Sequence, residues 1–159
     1  MTADRPNRLP WPPILFGGAA LAAWLAGRAL PLPWPEAQAL AMLGWAMIAA
    51  GVALDLWAMA VMTRRRANIL PHRAATALVT EGPFAWSRNP IYLGNSLLLG
   101  GCGFAFGNAW FLIAAAGAAV AVSILAIRRE EAHLAARFGE DWTGYAARTA
   151  RWLGRRGKG

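Results

Sequence analysis

Long apolar stretches separated by short polar or proline-rich segments dominate the chain. Between Arg88 and Arg128 lie 39 residues without a single Asp, Glu, Lys or Arg. As one helix this run would be roughly 58 Å long, twice the thickness of a bilayer's hydrocarbon core. We therefore expect the run to fold back on itself, with Gly107-Asn108 as the turn.

Two further apolar runs precede this hairpin. The segment Pro31–Pro35 contains three prolines, which exclude a helix there and indicate a short turn. The run that follows is interrupted only by Asp55, an acid within a predicted span and for that reason a candidate functional residue. The pattern predicts an all-α polytopic membrane protein, a single domain over residues 1–159. Its four transmembrane helices are expected at about 9–28, 37–63, 90–106 and 109–127.

The tail at 128–159 carries a different pattern. Leu134, Phe138, Trp142 and Tyr145 recur at helical spacing with charged residues between them, which predicts an amphipathic C-terminal helix. Gly139 and Gly144 are expected to break this helix into two pieces. Such a helix would lie on the membrane surface or cover the spans.

Composition and charge agree with a membrane protein. Apolar residues make up 57% of the chain and charged residues 15%, which excludes disorder, and the single Cys102 excludes a disulfide scaffold. The net charge of +8 raises the possibility of nucleic-acid binding. However, 15 of the 16 basic residues fall on the side that holds the N-terminus, the loop 64–89 and the tail. By the positive-inside rule this pattern predicts both termini in the cytoplasm, a bacterial inner-membrane location and no nucleic-acid partner.

Two polar segments on that side could carry chemistry. Asn89-Pro90 reads as a helix start, with Asn89 as the N-cap, so backbone N–H groups there could hold a polar ligand. A well-capped transmembrane helix explains the same residues. Glu130 and Glu131 come just after the fourth span, where acids are costly unless they are paired or used. Their pairing with Arg128 and Arg129 in a solvated cluster is the alternative.

Taken together, these segments resemble the isoprenylcysteine carboxyl methyltransferase family and the related phospholipid methyltransferases. The resemblance lies in residues 78–84 (LVTEGPF), 87–94 (SRNPIYLG) and 130–139 (EEAHLAARFG), with a pair of spans between the last two. It implies an integral membrane enzyme that binds S-adenosylmethionine in a cytosol-facing pocket. Carried over by position, the implied cofactor contacts are Thr76, Ala77, Leu78, Val79, Phe84, Asn89, Pro90, Ile91, Tyr92 and Glu130.

The same resemblance implies direct methyl transfer to a lipophilic or lipidated acceptor that enters from the membrane lipids, with no metal ion. Arg88 or Arg129 would orient an acidic acceptor, and an amine acceptor would need a base such as Glu131 or His133. One departure bears on the acceptor: the prenylcysteine enzymes place a carboxylate-binding arginine where this chain has Ala126. Prenylated peptides, phospholipid amines, isoprenoid acids and hydrophobic thiols all stay open as acceptors, as does the oligomeric state.

Two alternatives to this enzyme remain at the level of sequence. One is a non-enzymatic small membrane transport or interaction protein that retains the scaffold. The other is a membrane reductase related to sterol reductases, against which the short chain argues, since those proteins have many more spans.

Overall fold

The computed structural model describes residues 11–67 and 76–154, and every regular element in these two ranges is helical. The all-α prediction is confirmed for this part of the chain. In order, the elements are α1 (Trp11–Ala29), α2 (Gln38–Arg64), a 3₁₀ turn (Gly82–Ala85), α3 (Pro90–Phe106), α4 (Ala109–Val122), a π-helical turn (Ser123–Ile127) and α5 (Arg128–Arg148).

The first four α-helices pack as neighbours in the order α2, α3, α4, α1 and alternate in direction. Between α3 and α4 the chain turns where expected, because Gly107 adopts φ +63° and the Asn108 side chain accepts a hydrogen bond from the Trp110 amide. The Trp110 indole donates to the Leu30 carbonyl, which brings the end of α1 to the start of α4. The opposite end of the bundle collects the end of α2, the start of α3 and the start of α5, and we call it the charged end.

Helices α2 and α3 approach each other closely through glycine. A methyl carbon built on Gly44 would lie 2.1 Å from the backbone nitrogen of Ala105, so no larger residue fits there without displacing the backbone. Nearer the charged end, a methyl carbon on Gly94 would lie 2.0 Å from Asp55 Oδ1. This oxygen is buried and has no hydrogen-bond partner among the described residues. Asp55 thus lies at the contact between α2 and α3.

Two helical stretches are long and apolar enough to cross a membrane: Gln38–Arg64 and Ala109–Arg148. Most of each apolar window is exposed in the isolated chain, unlike the core helix of a soluble protein. Large exposed apolar side chains include Trp45, Leu56 and Trp57 on α2 and Ile113 and Val120 on α4. This surface is typical of a membrane protein. The α3 helix is apolar but has only 17 residues, and membrane crossing by α1 and α3 stays a prediction, as does the orientation.

The amphipathic tail is not a separate helix, because α4 runs through the π-helical turn directly into α5. Within α5 the backbone leaves the helical region at Gly139, with φ 52° and ψ −119°. The predicted break is therefore confirmed at Gly139. The break predicted at Gly144 is wrong: the backbone stays helical there, between Trp142 and Tyr145, whose burial holds this turn in place.

The kink gives the first prediction. Replacing Gly139 with alanine should lower the free energy of unfolding by about 1–3 kcal/mol, since only glycine adopts this conformation without strain. No atom lies within 4 Å of a methyl carbon at this position, so backbone strain is the only cost. Thermal unfolding in detergent measures the effect. Gly144→Ala is the control, and it should be neutral or slightly stabilising because Gly144 is helical. Equal melting temperatures for the two variants would contradict the expected strain.

Candidate functional site

The charged end brings together four segments that are far apart in sequence. They are the 3₁₀ turn with residues up to Asn89, the first turn of α3, the first turn of α5, and the final stretch that follows the Gly139 kink. The kink allows the end of α5 to return to the 3₁₀ turn, where the Tyr145 hydroxyl donates to the Phe84 carbonyl at 2.7 Å. Tyr145 is 3% exposed, so this hydrogen bond is sealed from water.

One contact joins the two segments that the sequence singled out. The Tyr92 hydroxyl, on the first turn of α3, donates to Glu130 Oε1 at 2.7 Å. Burial raises the pKa of Glu130 above the usual range of a glutamate; the Tyr92 hydrogen bond opposes this rise, and the neighbouring charge of Glu131 adds to it. Glu130 lies in α5, beyond the uncharged run that ends at Ile127. The site thus contains a largely buried carboxylate with one defined donor.

The second acid is held by two arginines. Arg88 approaches Glu131 Oε1 at 3.3 Å, and Arg151 donates from Nε to Oε1 at 3.0 Å and from its terminal nitrogen to Oε2 at 2.6 Å. The Arg88 side chain is only 9% exposed, and its guanidinium carbon lies 5.5 Å from the centre of the Trp142 ring. Both Glu131 oxygens are therefore engaged by arginine.

Asn89 occupies the N-cap position of α3, but its side chain does not cap the helix. Its side-chain amide instead donates to the Arg151 carbonyl at 2.9 Å. The Asn89 backbone N–H donates to the Ser87 hydroxyl, and the Arg88 N–H donates to the Ala150 carbonyl. The expected side-chain cap is wrong, and these two N–H groups are not available to a ligand, because the returning chain segment already uses Asn89 and Arg88.

The other residues implied as cofactor contacts line the loop before α3. Val79 and Phe84 are buried against Ala58 and Val61 of α2, and Ile91 packs on the same cluster. The remaining implied contacts differ in burial: Pro90 is fully buried, Ala77 and Leu78 are half-buried, and Thr76 is exposed with its hydroxyl bonded to the Arg66 carbonyl at 2.8 Å. The loop therefore presents mostly apolar side chains at the end of α2.

Three further residues matter for the acceptor. Arg129 is exposed on α5, whereas Arg88 is buried within the cluster. His133 lies one turn after Glu130, and its Nε2 atom is buried with no hydrogen-bond partner among the described residues. Ala126 is 0% exposed in the π-helical turn just before the acids, so an arginine would not fit there without rearrangement.

Sequence reasoning missed part of this site. Trp142 and Tyr145 were recognised as the apolar face of a helix but given no role, and their spacing was the only signal. Arg151 was not singled out at all, and no local pattern marks it. The π-helical turn that precedes the acids also had no sequence signal, although such turns are frequent at functional sites.

Chemically, the cluster suits a polar ligand of mixed charge. A buried carboxylate can hold an ammonium or hydroxyl group, and a buried guanidinium can hold an anionic one. Aromatic and apolar side chains next to both reduce contact with water, which strengthens each interaction.

Comparisons with known proteins identify the scaffold. Neither the curated proteins nor the solved structures contain a match to this chain. A family model described as phospholipid methyltransferase matches residues 39–141, which run from α2 to the middle of α5 and include Tyr92, Glu130 and Glu131. Since the match covers well over half of the 159 residues, the chain belongs to the phospholipid methyltransferase family.

Proposed function

We propose that the protein transfers a methyl group from S-adenosylmethionine to a lipophilic acceptor at the charged end of the helix bundle. Membership of a membrane methyltransferase family supports the reaction class. The observation that carries the proposal is the Tyr92–Glu130 hydrogen bond, because it joins the Asn-Pro-x-Tyr segment to the twin acids across the hairpin of α3 and α4.

The residues present fit this cofactor. Its methionine moiety carries an ammonium and a carboxylate, and its ribose carries two hydroxyls. Glu130 offers a buried carboxylate for the ammonium or a ribose hydroxyl, and Arg88 offers a buried guanidinium for the carboxylate. His133 Nε2 is a further buried polar atom whose partner is not among the described residues. Tyr92 and the loop residues 76–79 complete the implied contacts.

The cofactor supplies an already activated methyl group, so the chain needs neither a covalent intermediate nor a metal. The work of the protein is to align the reactants and exclude water. Val79 and Phe84 supply an apolar wall on the α2 side. Glu131 contributes by holding Arg88, since both of its oxygens are bonded to arginine. His133, with its buried Nε2, is the proton acceptor that we propose for an amine substrate.

The proposed acceptor is the amine of a phospholipid headgroup. The matching family is named for phospholipids, and the buried Ala126 leaves no arginine at the position where the prenylcysteine enzymes bind a carboxylate. The exposed apolar faces of α2 and α4 would let such an acceptor reach the site from the lipid. Membrane lipids are then the partner of the protein, and nucleic acid has no part in its function.

Binding and product identification test this function. Detergent-purified protein should bind S-adenosylmethionine and S-adenosylhomocysteine in titration calorimetry. Incubation with a membrane lipid extract and methyl-labelled cofactor should then place the label on an amine-containing phospholipid. Folded protein that binds neither compound would favour the non-enzymatic transport or interaction protein. Label on a carboxylate would keep the methyltransferase and refute the amine.

Orientation is tested separately, since we propose that the charged end faces the cytoplasm of a bacterial inner membrane. In a Cys102→Ala background, a cysteine at Arg66 should be protected from a membrane-impermeant maleimide in intact spheroplasts and labelled after lysis. A cysteine at Trp34, near the opposite end of the bundle, should be labelled in both conditions. The reverse pattern would place the site outside the cytoplasm.

A further inference from the structure

The last described residues form a strap across the loop that precedes α3. The strap, Thr149–Gly154, bonds to this loop through the backbone in both directions: the Arg88 N–H donates to the Ala150 carbonyl at 3.0 Å, and the Gly154 N–H donates to the Trp86 carbonyl at 2.8 Å. Thr149, where the strap begins, is 4% exposed. The strap lies beyond residue 141, outside the part of the chain that the family model matches.

Arg151 is the residue of the strap that touches both halves of the candidate site. Its backbone carbonyl accepts the Asn89 side-chain amide at 2.9 Å. Its guanidinium grips both oxygens of Glu131, at 3.0 Å and 2.6 Å. One residue thus connects the Asn-Pro-x-Tyr segment with the acids of α5.

The charge arrangement shows what the guanidinium contributes. Glu131 accepts from Arg151 in a two-point geometry, and Oε1 also lies 3.3 Å from Arg88. A planar guanidinium that binds a carboxylate at two points fixes its orientation as well as its position. Because Glu131 is fixed, the buried Arg88 has a partner at a defined place, where it also lies over the Trp142 ring.

We propose that Arg151 is a positioning residue for the methyltransferase site: through Glu131 it sets the place of Arg88, and through its carbonyl it sets the place of Asn89. This inference rests on the proposed function for its binding consequence. It does not rest on that function for its structural consequence, which is that the loop before α3 and the start of α5 lose order together when the guanidinium is removed. Arg151 itself is a positioning group and is not assigned a contact with the cofactor.

Arg151→Gln in the full chain is the test, with Arg148→Gln as the matched control. Both substitutions remove one positive charge near the end of α5, and Arg148 is an exposed residue of its last turn. Hydrogen–deuterium exchange without any ligand should become faster in peptides covering 84–92 and 128–134 of Arg151→Gln, and stay unchanged in Arg148→Gln. The affinity for S-adenosylhomocysteine should fall about tenfold in Arg151→Gln alone.

A lysine at this position separates geometry from charge. Arg151→Lys keeps the charge but cannot make the two-point contact, so it should restore only part of the affinity and of the exchange protection. Full restoration by lysine would refute positioning by geometry, and unchanged exchange in Arg151→Gln would overturn the proposal. If wild-type protein binds no S-adenosylhomocysteine, the proposed function fails, while the exchange measurement still decides whether Arg151 couples the two segments.

Discussion

Replacing Glu130 with glutamine should weaken binding of S-adenosylhomocysteine by about 10- to 100-fold, because a hydrogen bond to a charged group is worth about 1.5–3 kcal/mol. Glutamine has the size of glutamate, and its carbonyl oxygen can still accept the Tyr92 hydroxyl. The substitution therefore removes the negative charge while the packing around Ile127 and Tyr92 is kept. Titration calorimetry of the purified protein measures the change in Kd.

Glu140→Gln is the matched control for this prediction. Glu140 is an exposed residue of the same helix, so its substitution changes the net charge equally but lies at the surface. We expect its Kd to equal that of the wild type within twofold. If Glu130→Gln and Glu140→Gln bind alike, Glu130 does not hold the cofactor, and the site must be sought elsewhere.

The pH dependence of binding provides a second signature of Glu130. Burial raises the pKa of this carboxyl, so as the pH falls it takes up a proton earlier than an ordinary glutamate does. Protonation removes the charge that holds an ammonium, and Kd for S-adenosylhomocysteine should therefore rise as the pH falls through the Glu130 pKa. In Glu130→Gln this part of the pH dependence should be absent. A pH profile that is the same in both proteins would assign the titration to another group.

The sequence predicts well those features that local chemistry determines. The turn at Gly107-Asn108 is such a feature, because a glycine with positive φ ends α3 and an asparagine side chain caps α4. Proximity of Tyr92 and Glu130 follows from the same turn. Two antiparallel helices of similar length place a residue near the start of the first beside a residue just past the end of the second.

The features that the sequence did not predict depend on contacts between distant segments. Asn89 has the residue type and position of a cap, yet its side chain bonds to Arg151, which lies 62 positions away. Gly139 and Gly144 are equivalent as local signals, but only Gly139 departs from the helix. The difference lies in the returning segment, where Trp142 and Tyr145 are buried only if the chain bends at the earlier glycine.

Replacing Gly44 with alanine should destabilise the protein by about 1–3 kcal/mol, the usual cost of overpacking a close contact. The added methyl carbon would lie 2.1 Å from the Ala105 backbone nitrogen and 2.7 Å from the Gly101 carbonyl oxygen. Because both atoms belong to the backbone, the clash cannot be relieved by a side-chain rotation. Helices α2 and α3 would have to move apart along the contact that also contains Gly94 and Asp55.

The matched control, Gly117→Ala, should change stability in the opposite direction. No atom lies within 4 Å of a methyl carbon at Gly117 in α4, so alanine there gains only its better helix propensity, about 1 kcal/mol. The same substitution is thus expected to lower the melting temperature at Gly44 and to raise it at Gly117, both measured in detergent. The loss at Gly44 should extend to the site, since Ala58 and Val61 of α2 support Val79 and Phe84. Stabilisation by Gly44→Ala would mean that α2 and α3 are not in backbone contact, and the loop before α3 would then lack the surface on which it packs.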